Sequence, residues 1–347
     1  MVPVPVTDLT ARQVGDTVIL NFTLPTTSTD LQPLADMPSV EIYRNTPQPT
    51  ATAPKPDAKN RTTARLADTI PSEGLAQYQK NGHIEFPDKL DANVLAKEGG
   101  TDVVYIVRTR VSRAKASADS NAVAIRVYPA LATVQDLRVS LTEEALVLNW
   151  SAKPMGASAG KPATFHIYRA EVDPTTAEVA ASNPSEVKLI APPILLAQTS
   201  ETEYRDTSFQ FGHTYFYTIR EVTQFGNNSV ESADSPPAVL TAKDIFPPAA
   251  PQNLEAVMVP ATNEAPASVE LTWTINTEPD LAGYNVYRSE EAGTSGRKLN
   301  SESLLVPTFR DISVAPGKTY SYRVAAVDQS GNQSALSSAV EVSVPGP

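Results

Sequence analysis

Short runs of apolar residues with a period of two recur along the whole chain. Residues 18–22, 146–150 and 269–273 are three of these runs, and each ends in an aromatic side chain. Runs of this length, rich in Val, Ile, Leu, Tyr and Thr, are typical of half-buried β-strands. No long stretch has the 3.6-residue period of a helix, and helical patterns do not alternate with the strands, which disfavours a parallel βαβ sheet.

The strands belong to a pattern that occurs three times. A Tyr-Arg pair closes one strand of each copy, at Tyr43 and Arg44, Tyr168 and Arg169, and Tyr287 and Arg288. An aromatic-x-Asp element and a Tyr-rich run follow in the same order. The copies are about 120 residues apart, a period that corresponds to one whole domain rather than a solenoid repeat. About seven short strands per copy predict an antiparallel β-sandwich.

The repeat predicts three domains, 1–130, 131–246 and 247–347. The first boundary falls near residues 128–130, and the second lies in the proline-rich segment 246–251. Because proline fixes φ, we expect this second segment to be a short, stiff hinge. The expected architecture is an elongated array of three sandwiches.

The copies differ mainly in their loops. The first copy carries a proline-rich insert at 45–56 and a segment at 73–80 that predicts one or two helical turns. The second copy has inserts at 155–160 and 173–184. Extra loop length is either where binding specificity resides or a neutral insertion, since long surface loops cost little free energy.

These landmarks resemble fibronectin type III domains. Residues 315–331 are similar to the sixth strand of that family, with a Pro-Gly turn, the corner tyrosine Tyr320 and alternating apolar residues. Trp150 and Trp273 match the tryptophan of the second strand. In the first copy Phe22 stands in for this tryptophan, and Val103 takes the place that the corner tyrosine Tyr215 has in the second copy.

The resemblance implies an all-β fold of three tandem immunoglobulin-like (fibronectin type III) antiparallel β-sandwiches. It also implies a bacterial secreted protein or surface lipoprotein whose leader and anchor cysteine are absent from the given sequence. The integrin-binding Arg-Gly-Asp and the cytokine-receptor Trp-Ser-x-Trp-Ser box are both absent.

The family pattern assigns structural roles to most recurring residues. Five are expected in the core: Phe22, Trp150, Trp273, Tyr215 and Tyr320. A buried tryptophan fills the space between the two sheets, and a corner tyrosine returns its hydroxyl to the backbone. The Tyr-Arg pairs are expected to stack on the sheet surface, where they are also candidates for contact with a carbohydrate or a peptide. The residue two positions before each tyrosine is polar (Glu41, His166, Asn285) and is expected to face solvent.

Composition narrows the function. The net charge of −11 disfavours nucleic acid as a partner, because such proteins normally present a basic face. The chain has no cysteine, which excludes disulfides and thiolate metal sites. No signal-peptide pattern occurs in the given sequence, and no apolar run is long enough to span a bilayer.

The sequence offers no convergent catalytic, cofactor-binding or metal-binding set. The three histidines, His83, His166 and His213, fall in different copies or elements. Motifs for phosphate loops, nucleophile elbows and calcium loops are absent. The aspartate of the aromatic-x-Asp element recurs in all copies and is expected to form a turn.

We therefore expect a non-catalytic adhesion or scaffold protein at the cell surface or outside the cell, an outer-surface lipoprotein in type, that needs no cofactor. Its expected partners are proteins or polysaccharides, bound through loops and sheet faces, with self-association as a further option. Two alternatives stay open. One is a spacer or accessory region of a secreted carbohydrate-active enzyme, and the other is a self-assembling subunit of a surface fibre.

Overall fold

The computed structural model describes residues 1–45, 64–80, 82–151, 164–180, 183–226, 228–290, 294 and 296–346. Within these residues the chain is built almost entirely of antiparallel β-sheets, which confirms the predicted all-β fold class. The chain forms two compact units, residues 1–242 and 243–347. The further division at residue 130 and the elongated arrangement stay predictions. The proline-rich insert from residue 46 onward and the insert at 155–160 lie outside the described residues.

The first copy forms two facing sheets. One contains β1, β2, β6 and β5, and the other contains β4, β3, β7 and β8, with β9 beside β7. The strands are β1 Thr10–Val14, β2 Thr17–Phe22, β3 Ser39–Asn45, β4 Arg65–Ile70, β5 Gln79–Lys80, β6 His83–Lys89, β7 Thr101–Ser112, β8 Lys115–Ala116 and β9 Val123–Val127. A 3-10 helix covers Ser72–Tyr78, where the sequence predicts a helical turn, and the short helix α1 covers Ala92–Leu95.

The second and third copies repeat this arrangement. In the second copy the strands are β10 Gln135–Leu141, β11 Leu146–Ser151, β12 Thr164–Glu171, β13 Ile194–Thr199, β14 Glu203–Asp206, β15 Thr214–Phe225, β16 Asn228–Glu231 and β17 Ala238–Thr241, with the helix α2 at Ala177–Ala180. In the third they are β18 Glu255–Val259, β19 Ser268–Thr272, β20 Leu281–Ser289, β21 Arg297–Lys298, β22 Thr308–Asp311, β23 Thr319–Asp328 and β24 Val340–Ser343. The third copy has one sheet of β18, β19 and β22 and another of β21, β20, β23 and β24.

Strand alternation places one face of each sheet in the core. In β3, Val40 and Ile42 are fully buried, while Glu41 between them faces outward. The described residues contain three hydrophobic clusters, one for each copy. The structure places Phe22, Trp150, Trp273, Tyr215 and Tyr320 in these clusters or at their edge, all at least nine-tenths buried. The last two accept backbone N–H bonds, Tyr215 Oη from Gln210 at 2.9 Å and Tyr320 Oη from Ala315 at 3.0 Å.

One sheet continues from the first copy into the second. Eight of its nine strands follow the order β13, β12, β15, β16, β1, β2, β6 and β5, and the ninth, β17, pairs with β15. Strand β16 lies parallel to β1. The two strands meet at Val14 and Glu231, where the Gly15 N–H donates to the Glu231 carbonyl at 2.8 Å. One sheet of the first copy and one sheet of the second are therefore joined by backbone hydrogen bonds into a single sheet.

Candidate functional site

The arginine of each Tyr-Arg pair is directed inward. In the third copy Arg288 Nη1 lies 2.5 Å from Asp311 Oδ2, and Tyr322 Oη donates to the same oxygen at 2.9 Å. The side chains of Arg288 and Asp311 are only 6% and 3% exposed. Successive residues of a strand point to opposite faces, so Tyr287 faces outward when Arg288 faces inward.

The other copies contain the same cluster. Arg44 and Tyr105 both bond Asp88 in the first copy, at 2.8 and 2.6 Å. Arg169 and Tyr217 both bond Asp206 in the second, each at 2.7 Å. We call these three sets the Arg-Asp-Tyr clusters. In each cluster the aspartate lies on a strand of one sheet. The tyrosine and the arginine lie on two neighbouring strands of the other sheet, with the arginine near the end of the Tyr-Arg strand.

The cluster of the second copy shifts the pKa values of its members. Burial and the neighbouring Asp206 raise the pKa of Tyr217, so its hydroxyl stays a donor. Burial alone would raise the pKa of Asp206, but hydrogen bonds from Tyr217, Ser208 and Arg169 outweigh it and lower the pKa. The cluster is therefore an ion pair with a neutral phenol across the whole physiological pH range.

Two expectations need correction here. The recurring aspartates are buried ion-pair partners as well as turn formers, since Asp311 Oδ1 also accepts from Ser313 N at 2.8 Å. The adjacent tyrosine and arginine do not stack on each other, because they lie on opposite faces. Arg288 instead lies over the corner tyrosine Tyr320, with 4.6 Å between the guanidinium carbon and the ring centroid.

The outward tyrosines carry different neighbours in each copy. In the first copy Arg108 lies 4.8 Å over the ring of Tyr43, whose hydroxyl donates to Glu41 Oε2 at 3.0 Å. Arg108 also pairs with Asp119, and Arg110 Nε lies 2.7 Å from Glu41 Oε1. Glu41 is therefore an ion-pair partner on the sheet face rather than a freely solvated residue.

In the second copy the same face centres on Glu231. It accepts from Arg220 Nη1 at 2.8 Å and lies 2.8 Å from His166 Nδ1. Arg220 also lies 4.4 Å over the ring of Tyr168 and pairs with Asp234 at 2.8 Å. Burial would raise the pKa of Glu231, but Arg220 and His166 outweigh it and lower the pKa. His166 is thus half-buried in an ionic network, in contrast to its expected surface position.

The third copy has a neutral version of this network. Asn285 Nδ2 and Tyr287 Oη both donate to Gln333 Oε1, at 2.8 and 2.9 Å. Asn285 is buried on the outer face, so the expectation that it faces solvent is wrong. Arg323 lies directly across the strand pair from Tyr287.

Side chains reinforce the backbone junction between the first two copies. The buried amide of Gln13 donates to the Tyr128 carbonyl at 2.8 Å and accepts from the Tyr128 N–H at 2.9 Å. The Tyr128 ring stacks on Phe225, with centroids 4.2 Å apart and planes at 14°. Arg12 adds a 3.9 Å contact to Glu231. The junction is therefore packed and hydrogen-bonded rather than a loose tether.

The remaining histidines and acids have local partners. His83 lies 3.1 Å from Thr23, and His213 lies 2.5 Å from Glu171. Asp244, Asp280 and Asp328 bring carboxylate oxygens within 4.8 Å of one another. Both oxygens of Asp328 already accept hydrogen bonds from Asn332, and Asp244 Oδ2 accepts from Ser330, so two of these carboxylates have structural partners.

A shallow depression of about 130 Å³ lies beside Ile275 and Asn276. Asn276 Oδ1 is buried there without a hydrogen-bond partner among the described residues. The volume is below the roughly 300–1,000 Å³ of sites that enclose small ligands. The depression has room for water or for a single ligand group.

Sequence reasoning missed the ion-pair role of the recurring aspartates and the position of Arg323 beside Tyr287. The first could have been found from the joint recurrence of the three residue types in all copies. Arg323 gives no repeat signal, because only the sheet register places it beside Tyr287.

No protein-family profile matches the chain. Over 260 residues it is 27% identical to Exoglucanase B of Cellulomonas fimi, which covers 71% of this chain and 20% of that protein. It is 35% identical over 95 residues to an amylopullulanase of Thermoanaerobacterium thermosulfurigenes, covering 27% of this chain and 5% of that protein. The chain thus spans at most a fifth of these relatives.

Among solved structures, the chain is similar to the FN1–FN3 domains of chicken CNTN1, with a TM-score of 0.27, 11% identity and coverage of 99% of this chain and all of that one. It is also similar to an Fn3-like protein from Clostridium thermocellum, with a TM-score of 0.25, 28% identity and coverage of 29% of this chain and 98% of that one. In the described part of the chain, no helix is long and apolar enough to cross a membrane. The chain is an all-β protein whose structural neighbours are fibronectin type III domain proteins and whose curated relatives include an exoglucanase and an amylopullulanase.

Proposed function

We propose that the chain is a non-catalytic, extracellular accessory region that binds polysaccharide and holds its binding faces at a fixed spacing. The observation that carries this proposal is the shared sheet of residues 1–242, in which β16 pairs with β1 across the first two copies. Two faces on a rigid frame bind a repetitive polymer with greater avidity than the same faces on a flexible tether.

The identity of the relatives supports a polysaccharide context. An exoglucanase and an amylopullulanase each contain a segment similar to part of this chain. Because the chain spans only a small share of those proteins, its resemblance concerns a region and not their whole activity. On the outer faces of the first two copies, ionisable groups form structural ion pairs, such as Arg110 with Glu41 and Arg220 with Glu231, which suits a binding or spacing role.

A depletion assay tests this function. The purified chain is mixed with insoluble cellulose, starch and pectin, and the protein left in solution is measured together with released reducing ends. We expect retention on at least one polymer without sugar release. Tyr128→Ala removes the aromatic stack at the junction and should weaken retention while each hydrophobic cluster stays folded. Retention on none of the polymers, or release of sugar, would overturn the proposal.

A protein-binding adhesion role is the second candidate, and the edge strand β13 favours it. Ile194 and Leu195 of this strand are 62% and 44% exposed, and the strand lies at the end of the nine-stranded sheet. An exposed apolar edge can pair with a strand of another chain. This role predicts assembly that grows with concentration in light scattering, and a monomer at high concentration would exclude self-association.

An outer-surface location with a lipid anchor belongs to this proposal as well. Fractionation of the source cells tests it, with the chain expected in the envelope or the medium. Recovery in the cytoplasm alone would contradict it.

A further inference from the structure

The outer face of the third copy carries a row of charge that its counterparts lack. The register places Lys298, Tyr287 and Arg323 side by side across β21, β20 and β23. Paired residues of neighbouring strands share a face, so two cations flank the tyrosine ring. The corresponding rows of the other copies hold uncharged flanks: Leu66, Tyr43 and Ile106 in the first, and Leu195, Tyr168 and Thr218 in the second.

The acids that neutralise the other two faces are replaced in the third copy. A serine that bonds the central strand marks the same place in each copy, at Ser120, Ser235 and Ser337. The residue before it is Asp119 or Asp234 in the first two copies and Leu336 in the third. By the same comparison Glu231 becomes Gln333, and Glu41 becomes Asn285. Two arginines that pair with these acids, Arg108 and Arg220, correspond to Ala325 in the third copy. Arg323 and Lys298 are therefore cations at new positions, and none of these carboxylates lies beside them.

The guanidinium of Arg323 is left with unused bonding capacity. Its Nε is buried and has no hydrogen-bond partner among the described residues. Glu341, opposite Ser321 on the same face, forms no ion pair with Arg323 or Lys298 in this part of the structure. A buried donor without an acceptor is costly, and a ligand that brings an acceptor recovers that cost.

We propose that this face binds the carboxylate groups of an acidic polysaccharide, with Arg323 and Lys298 as the cations and Tyr287 as the platform for a sugar ring. Arginine binds a carboxylate through two parallel hydrogen bonds, which gives the site its preference for charged sugars. The amide of Gln333, exposed beside the ring, is placed to bond sugar hydroxyls.

The architecture favours a sugar acid over an acidic peptide. The backbone groups of β20 and β23 already pair with each other over most of their length, so a peptide cannot add as a strand at this face. This inference rests on the proposed polysaccharide-binding function and names the class of polymer.

Titration calorimetry of the intact chain tests the site, with polygalacturonate, soluble starch and polyglutamate as probes. We expect binding to polygalacturonate, weakened about tenfold or more by Arg323→Gln, because a charge-assisted hydrogen bond is lost. Ala339→Glu places a carboxylate one register step beyond the Tyr322–Val340 pair, opposite Arg323, and should weaken binding to a similar extent while the arginine stays in place. The matched control Arg310→Gln removes an exposed cation from the other sheet and should leave the affinity unchanged.

The outcomes separate the two proposals. Starch binding that Arg323→Gln does not affect would overturn this site and leave the polysaccharide function intact. Binding to neither polysaccharide would overturn this site, and it would overturn the polysaccharide function as well if cellulose also failed to retain the chain. Equal binding of polyglutamate, lost in Arg323→Gln, would assign the face to acidic peptides and overturn the assignment to a sugar acid. An equal loss in Arg310→Gln would show general charge attraction and also overturn the site. Ala339→Glu decides the matter if Arg323→Gln fails to fold.

Discussion

Replacing Asp311 by asparagine tests whether the Arg-Asp-Tyr cluster stabilises the third copy. Asp311 Oδ2 accepts from Arg288 and Tyr322, while Oδ1 accepts from Ser313. The asparagine amide still has one oxygen that can accept a hydrogen bond, but it has no charge. Against the two donors Arg288 and Tyr322 it places either an N–H₂ group or an oxygen that is a weaker acceptor than a carboxylate. Arg288 keeps its bonds to Ser313, at 3.0 and 3.1 Å, but is left as a buried charge without its counter-ion.

Breaking a buried pair in this way costs about 3–5 kcal/mol. We expect the low end of that range here, because the bonds to Ser313 survive. A domain of this size has a total stability of only about 5–15 kcal/mol. With a urea dependence of about 1–3 kcal/mol per molar, the unfolding midpoint should fall by roughly 1–3 M.

Tryptophan fluorescence measures this change for the third copy alone. The chain has two tryptophans, and Trp150→Phe leaves Trp273 as the single reporter. Phenylalanine already occupies the equivalent position in the first copy, at Phe22. The control Glu270→Gln breaks the exposed pair with Arg310 and should cost about 0–1 kcal/mol.

The comparison between the variants decides the result. If the urea midpoint of Asp311→Asn lies within the range of the Glu270→Gln control, the Arg-Asp-Tyr cluster does not stabilise the third copy. Arg288→Met added to Asp311→Asn removes the stranded charge and should recover part of the loss, because a neutral side chain of similar length avoids the desolvation cost. Strictly additive losses would show that the two residues do not act as a pair.

Three further predictions concern pH, the junction and the corner tyrosine. Burial alone would raise the pKa of Asp311, but its hydrogen bonds outweigh burial and lower the pKa. The contribution of Asp311 to the free energy of unfolding is therefore present above the ordinary aspartate pKa of about 4 and is lost as the pH falls through the lowered value. Below pH 4 the urea midpoint should fall more steeply in the wild type than in Asp311→Asn, and parallel curves would contradict this. Gly15 has φ +58°, and an added Cβ would lie 3.2 Å from Ala233. Gly15→Val should therefore lower the free energy of unfolding by about 1–3 kcal/mol and speed hydrogen exchange at the amide of residue 15. Unchanged exchange would show that the strand contact contributes little. Tyr320→Phe leaves the Ala315 N–H without its acceptor and should lower stability by about 1 kcal/mol by Trp273 fluorescence, and a neutral result would mean that water replaces the hydroxyl.

The sequence predicts the fold well because the hydrophobic period of two determines which residues are buried. The tryptophans at 150 and 273 and the phenylalanine at 22 follow directly from this alternation and from the family resemblance. Their burial needs no knowledge of which strands pair, since each lies at the end of an alternating run.

The outer faces depend on information that a single strand does not contain. Which cation lies over which tyrosine is decided by the register between strands, as the pairs Arg108–Tyr43 and Arg220–Tyr168 show. The junction is equally hidden in the sequence, because Gln13 and its partner Tyr128 are far apart in the chain and belong to no repeated motif.

The Tyr-Arg pair shows how repetition separates structure from function in this chain. Strand alternation gives the arginine a constant partner inside each sandwich, and that partner, an aspartate, recurs in all copies. The tyrosine lies on the other face, where the neighbours are free to differ. In the third copy the ion pairs of that face are lost, and two cations, Arg323 and Lys298, lie where the other copies have uncharged residues. This change leaves Arg323 Nε buried and unpaired among the described residues. Such a cost is best explained by a ligand that supplies the missing acceptor. The departure from the repeat, and not the repeat itself, is therefore where this chain is expected to recognise its partner.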